Sequence, residues 1–435
     1  MPSLKSTKLP FFVLLGGQSI SLLGTGMSRF ALMIWAYQVD GSATTLALLG
    51  FFVCITYVIA CPFAGVLVDR WDRRKVMALA DAGAGLMTLG MLALFMSGNL
   101  QLWHLYVMEG LAGIFEAFQE PAFSASISVL VPRESYTRAN AMFGLGRSAA
   151  RILAPALAGM ILPLWGLQTV MMIDLGTMSL AVLGLLAIRI PTPEITETGR
   201  QAVSKSFWSE LQFGMGYIWK NAGLRGLMAT YFMVNLLGTI TYFAVHAPMI
   251  LTRTGGDETA LGIVRTVMGV GGVAGGLIIS IWGGPRRKAR VYLLATGWSF
   301  LIADMLTALS KSTPGWALAG FIAEISIPFI VSPYFALWQE IVPPDVQGRV
   351  FSAREMVQIG AQPLGYLLGG FLADHVFEPA LMPAGALAST LGRLVGTTPG
   401  AGMSAMFICT SLLGFMILVF GWLSPAIRKL DERGG

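Results

Sequence analysis

The chain of 435 residues is 55% hydrophobic and only 12% charged, with a net charge of +6. A soluble domain carries about 25% charged residues, so lipid rather than water must solvate most of this one. The basic excess sits in short clusters between apolar runs, without aromatic interleaving, which excludes a nucleic-acid surface; Cys54, Cys61 and Cys409 all lie inside apolar runs and form no metal or redox spacing.

In chain order, twelve apolar runs reach the ~20 residues a helical span needs: 11–37, 44–68, 76–97, 101–124, 141–163, 167–188, 225–250, 259–283, 291–310, 314–338, 354–377 and 401–424. The first follows Lys5 and Lys8. It is too long for a signal-peptide core and has no clear small-residue cleavage site, so it reads as a retained span. Between the second and third lies the charged run "GVLVDRWDRRKVM", Gly65 to Met77. The only long polar segment is 190–222; its front is a Pro/Thr/Glu-rich linker, and from Ser206 it reads as an amphipathic helix on the inner membrane surface. The expectation is an all-α membrane protein of twelve spans: a six-helix bundle over 1–190, a cytoplasmic linker with an amphipathic helix over 191–222, and a second six-helix bundle over 223–435.

Orientation follows from the basic residues. With the N-terminus inside, the cytoplasmic segments take most of the 29 Lys and Arg, including Arg70, Arg73, Arg74 and Lys75, Arg286 to Arg290, and Arg428, Lys429 and Arg433. The outer loops keep Arg253, Lys311 and Arg393. Both termini are therefore expected in the cytoplasm, and the opening charged run becomes a short inner loop.

The halves repeat. Shifted by 211 residues, "LVPRESYTRANAMFGLGRSAARILAPALAG" (130–159) lies on "IVPPDVQGRVFSAREMVQIGAQPLGYLLGG" (341–370) without a gap, and Gly65 lies on Gly276. Two six-span halves in parallel repetition are the layout of a rocker-type secondary transporter.

"GVLVDRWDRRKVM" resembles the loop signature G-x-L-x-D-R-x-G-R-R of the major facilitator superfamily. Gly65, Leu67, Asp69, Arg70, Arg73 and Arg74 match, and Asp72 replaces the second Gly. The resemblance implies that Gly65, Asp69, Arg70, Arg73 and Arg74 brace one half against the other, with Asp69 near a helix start. "ARILAPALAG" is similar to the antiporter signature, with Ala154, Pro155 and Gly159 in its places and three glycines turned to alanine. The span-four Arg of many members is absent, and Glu109 lies near its position. The texture of span one, "PAFSASISVLVPRESYTRANA" and "VQGRVFSAREM" resembles the macrolide-efflux and enterobactin-exporter branch.

Charges inside a membrane are costly and usually paired or functional. At ~1.5 Å per residue, Arg29 and Glu109 fall at one depth, Glu120 with Arg147 at another, Arg151 near Glu116, and Arg265 with Asp304. These are expected ion pairs, and Arg265–Asp304 and Glu120–Arg147 are expected to be mainly structural. Glu324 falls near the midplane of span ten, where no basic residue of its half matches its depth. A carboxylate there can take a proton at one face and release it at the other, so Glu324 leads the coupling candidates, Glu116 follows and Asp174 is held in reserve. His246 reads as an interface residue. Met33, Trp35, Tyr231, Phe232, Asn235 and Tyr242 are candidates for an amphiphilic substrate cavity.

No G-x-x-x-x-G-K-[ST] loop exists, and three scattered histidines build neither a catalytic triad nor a metal site, so an enzyme, a cofactor and a metal are not expected. The expected activity is secondary active transport, as a proton-coupled antiporter exporting lipophilic or amphiphilic, drug- or macrolide-like small molecules by alternating access in the cell membrane. The partners are a small-molecule substrate, protons and the lipid bilayer, with no nucleic acid and a monomeric state. A dedicated exporter of a siderophore or lipid, and a transport-dead membrane sensor or scaffold, are the alternatives.

Overall fold

The computed structural model describes residues 4–40, 43–191 and 207–433. All regular structure among them is helical. The front of the expected linker, 192–206, lies outside the described residues. Among the described residues, nine helical stretches are long and apolar enough to cross a membrane. The longest, 133–187, is α5 (Tyr136–Ala187) with the turn that precedes it. It is interrupted at Gly166, whose φ of 75° is open to glycine and strained for other residues. That break separates what the apolar pattern reads as spans five and six. Leu102–Leu130 is also of spanning length, although Glu109, Glu116, Gln119 and Glu120 make it more polar.

The chain divides into two compact units. Unit 1 comprises Met1–Tyr217 and Gln339–Met356, and unit 2 comprises Ile218–Trp338 and Val357–Gly435.

Unit 1 is built on α1 (Leu4–Asp40), α2 (Ala43–Arg70), α3 (Arg73–Met96), α4 (Leu102–Leu130) and α5, with most of α6 (Phe207–Lys220, whose end belongs to unit 2). α1 packs along α5, and α4 lies against α2 and α3. The main core joins Met27, Leu32, Met91, Leu105, Ala154 and Met171. Small residues permit these approaches: a Cβ on Gly26 would sit 2.9 Å from that of Ala154. Asp72, the departure from the glycine pattern, caps α3 by accepting from the Arg74 amide at 2.9 Å.

Unit 2 carries α7 (Ala222–Gly238), α8 (His246–Thr254), α9 (Glu258–Trp282), α10 (Lys288–Trp298), α11 (Met305–Leu309), α12 (Thr313–Ile341, whose end belongs to unit 1), α13 (Gln347–Leu372, whose start belongs to unit 1), the short α14 (Glu378–Leu381) and α15 (Gly392–Val395), α16 (Ala401–Leu423), and the terminal turns α17 (Pro425–Arg428) and α18 (Leu430–Arg433). Three wide π turns, Thr239–Val245, Ser299–Asp304 and Ala373–Phe377, join α7 to α8, α10 to α11 and α13 to α14. Its core gathers Val245, Met249, Met268, Trp316 and Phe407. In both units large apolar side chains stand outward, among them Leu164, Ile281, Leu367 and Phe420. Such faces are stable against acyl chains and untenable in water.

Candidate functional site

Two constellations in unit 1 concentrate polar chemistry. The first is a clasp formed by the end of α2 and the start of α13. The Gly348 amide donates to Asp69 Oδ1 at 2.6 Å and the Arg349 amide to Asp69 Oδ2 at 3.0 Å. The first amides of a helix have no partner within it, and its N-terminal dipole favours an anion. The Asp69 side chain is 1% exposed. Approach is close because both contact points lack a side chain: a Cβ on Gly65 would meet Gly348 O at 2.7 Å, and one on Gly348 would meet Asp69 Oδ1 at 2.5 Å. Arg73 is buried, donating to Ala125 O at 2.7 Å and to Pro344 O. Arg74 donates to Ile188 O at 2.9 Å, while Arg70 stands exposed and has an interaction of its own.

The clasp has a second layer that sequence reasoning missed. Gln339 and Gln347 are both buried. Gln347 accepts from Ser128 at 2.7 Å and donates to Val342 O at 2.9 Å; Gln339 accepts from Asn140 at 2.7 Å and donates to Ser124 O at 3.0 Å. Cys61 donates to Ser352 O at 3.3 Å. These bonds anchor 339–356 to unit 1.

The second constellation is acidic. Arg29 on α1 donates to Glu109 at 3.2 Å and to Glu116 at 2.8 Å. Glu109 and Glu116 lie seven residues apart on one face of α4, and the guanidinium fork spans the two turns between them. The depth estimate matched Arg29 with Glu109 and set Arg151 near Glu116, a coupling candidate; in the structure Glu116 takes the same arginine as Glu109. Its side chain is 38% exposed against 10% for Glu109. Asp174, the reserve coupling candidate, is held by hydroxyls from two other helices, Thr25 at 3.0 Å and Thr88 at 3.2 Å, and lies within electrostatic reach of Arg29. Nearer the clasp, Arg147 donates to Glu120 at 2.5 Å. Arg151 is exposed and also has an interaction.

In unit 2 the expected Arg265–Asp304 pair does not form. Arg265 is exposed, whereas Asp304 is 1% exposed and accepts from Thr410 at 2.8 Å. Equal depth places two residues at one height; the π turn that ends at Asp304 changes the direction in which the side chain leaves the helix. Glu324 is half-buried within electrostatic reach of Tyr242, so the isolation expected of it is not observed. Among the cavity candidates, Tyr231 stacks on Tyr334 with centroids 4.0 Å apart, Asn235 donates to Tyr231 O at 3.0 Å, and Phe232 is half-buried. Tyr242 turns into the core of unit 2 and Trp35 packs on that of unit 1, whereas Met33 is exposed. In the antiporter-like stretch Ala154 is buried against α1, and Gly159 has open space where a Cβ would go.

The family model of the Major Facilitator Superfamily matches residues 14–366. The chain belongs to the Major Facilitator Superfamily. This superfamily member is 28% identical to macrolide efflux protein A of Streptococcus pyogenes over 86% of its own length and 92% of that protein's. It is 30% identical to macrolide efflux protein A of Enterococcus faecalis over 75% and 99%. It is 22% identical to the multidrug efflux pump Tap of Mycolicibacterium fortuitum over 97% of each. Among solved structures, a bacterial homologue of the iron transporter ferroportin matches with a TM-score of 0.69 at 18% identity, covering 95% and 100% of the two chains. The Escherichia coli fucose:proton symporter matches at 0.68 and 14%, covering 96% and 99%. These structures share its fold. It is a multi-pass membrane transporter and not an enzyme.

Further polar centres of the transporter went unrecognised in the sequence. Buried Asp81 on α3 accepts from Gln18 at 2.8 Å and from Gln119 at 3.1 Å. The signal was an acid inside an apolar run, but matching acids only to cations passes over neutral amide donors. Asp431 accepts from the amides of Ala289 at 2.8 Å and Arg290 at 3.2 Å, closing the start of α10 in unit 2. Arg253 and Glu378 tie down the turn before α16, the first donating to Val395 O at 2.7 Å and the second accepting from the Met403 amide at 3.1 Å.

Proposed function

We propose that this transporter is a proton-coupled antiporter that exports lipophilic or amphiphilic small molecules of the macrolide or drug kind by alternating access, with both termini on the cytoplasmic side of the cell membrane. One observation carries the reading: a single guanidinium, Arg29, serves Glu109 and Glu116 while Asp174 lies within its reach. Three carboxylates around one cation leave an excess of negative charge within the spans, where uncompensated charge is costly. Such a centre is stable when a proton or a cationic amphiphile supplies the missing charge, and that competition is the essence of exchange. Glu116 is the member open enough to trade its proton, and Glu324 of unit 2 is the second carrier. The names of its relatives favour macrolides over sugars as cargo. Asp69 holds the clasp closed in one state and releases it in the other.

The test uses purified protein in liposomes under an imposed pH gradient, with internal pH followed as macrolides, cationic dyes and catecholate siderophores are added. Proton movement triggered by one class and abolished in Glu116→Gln is the expected result. Substrate flux that ignores the gradient and survives both Glu116→Gln and Glu324→Gln would overturn it. A response confined to siderophores would keep the coupling and replace the cargo.

A further inference from the structure

Unit 2 contains a buried polar cluster that the coupling centre of unit 1 does not use. Two π turns contribute to it. Tyr242 belongs to Thr239–Val245, and His246 follows at once as the first residue of α8; Asp304 ends Ser299–Asp304, and Thr307 follows on α11. π turns are rare and concentrate at functional sites, because the extra residue redirects side chains out of the regular ladder. Thr410 comes from α16.

The side chains lie together. The Tyr242 and His246 rings are 5.4 Å apart, and both rest against Phe407, at 5.4 and 5.8 Å. The Tyr242 hydroxyl has Asp304 and Thr307 beside it. Asp304 is 1% exposed, while His246 and Thr307 are fully buried. One oxygen of Asp304 accepts from Thr410 at 2.8 Å. Its other oxygen faces the Tyr242 hydroxyl, which the Thr307 hydroxyl also approaches, without a hydrogen bond of full geometry among the three, and neither ring nitrogen of His246 has a partner. Buried polar atoms are almost always satisfied, and an orphaned one costs its full desolvation. Here such atoms gather at one carboxylate: its own second oxygen and the Tyr242 and Thr307 hydroxyls lie together, with the His246 ring next to that of Tyr242.

Charge balance points the same way. The charged side chains that reach the cluster from neighbouring helices are Arg265 of α9, near His246, and Glu324 of α12, near Tyr242. Their charges offset each other and leave Asp304 uncompensated. Asp174 of unit 1 has the same setting, an aspartate held by threonine hydroxyls, but Arg29 is at hand. We propose that the Asp304–Tyr242–Thr307–His246 cluster is a binding site for one small monovalent cation, a proton or a sodium ion. A proton would sit on the free Asp304 oxygen and let the carboxyl donate to a neighbour. A sodium ion would take that oxygen with the Tyr242 and Thr307 hydroxyls as hard oxygen ligands. This site goes beyond the antiport reading and does not depend on it.

The test is infrared difference spectroscopy on the purified full-length protein, wild type minus Asp304→Asn, at neutral pH in choline chloride and again after addition of sodium chloride or potassium chloride. The subtraction removes Asp81, Asp174 and Glu109. A carboxylic-acid carbonyl band present in choline and unmoved by sodium identifies the proton. A carboxylate band that develops with sodium and not with potassium identifies the sodium ion. An ionised carboxylate in choline that responds to neither salt would overturn the site. Should Asp304→Asn fail to fold, Thr410→Val keeps the carboxyl and removes its donor: the band must then shift in frequency, and a band that stays in place would equally overturn it. No substrate is added, so failure of antiport and failure of this site remain distinguishable.

Discussion

Asp69→Asn tests the clasp directly. The carboxylate takes two backbone donors, Gly348 at 2.6 Å and Arg349 at 3.0 Å, inside a pocket where its side chain is 1% exposed. Both amides belong to the first turn of α13, so neither has a helical acceptor. Asparagine keeps one acceptor and turns an amide N–H toward the other donor. One charge-assisted bond is lost and one buried N–H is orphaned, a cost of about 2–4 kcal/mol. If local opening of the clasp governs exchange, the Gly348 and Arg349 amides should exchange with deuterium about 30- to 700-fold faster. Hydrogen–deuterium exchange on a peptide spanning 342–352 reads this, with 101–119 of α4 as the internal reference. Unchanged protection at Gly348 and Arg349 in a folded Asp69→Asn protein would refute the reasoning. Acceleration confined to the clasp, together with impaired transport, would tie the two.

Other substitutions probe different terms. Gly65→Ala places a methyl group 2.7 Å from Gly348 O and from Ser352 Cβ, so it should destabilise by about 1–3 kcal/mol through overpacking, read as a lowered melting temperature in detergent. Arg29→Met leaves Glu109, with 10% side-chain exposure, without its cation. Breaking a fully buried pair costs about 3–5 kcal/mol, but the Arg29 side chain is 35% exposed, so about 1–3 kcal/mol is expected, and adding Glu109→Gln should recover part of the melting temperature. Asp431→Asn repeats the clasp experiment on α10. Asp431 is only half-buried and water can replace its bonds, so exchange at Ala289 and Arg290 should accelerate by no more than about tenfold.

The lipid-facing helices were legible because the apolar period is long and the charges fall between runs. The clasp was legible because six residues of a motif crowd into ten positions. What sequence could not supply was azimuth. Arg29 and Glu109 matched in depth, but the arginine fork also reaches Glu116, two turns away, and only packing of α1 on α4 reveals it. Arg265 and Asp304 matched in depth as well, yet one faces outward and the other inward, beyond a π turn that hydrophobic periodicity does not mark. Asp72 looked like a defect in a glycine pattern and is a helix cap. Gln339 and Gln347 gave no sign at all: a buried glutamine is identified by its partners, and those lie some 200 residues away in the chain.

The two units solve the same problems with related chemistry and differ in one respect that bears on transport. Each closes a helix start with an aspartate, Asp69 on α13 and Asp431 on α10. Each holds a buried aspartate by threonine hydroxyls, Asp174 in unit 1 and Asp304 in unit 2. Arg29 is at hand for the first, whereas the arginine that reaches the second cluster, Arg265, is offset there by Glu324. In unit 1 the positive charge is fixed to the chain, so the acids around it can change occupancy without leaving the centre bare, which suits a group that must release and reload. In unit 2 the charge must arrive from outside the chain, and its departure would leave a carboxylate exposed to a medium of low dielectric. Release from unit 2 therefore carries the larger penalty. A cation held there is the better candidate for an occupant that stays through the cycle, while the Arg29 centre carries the exchange.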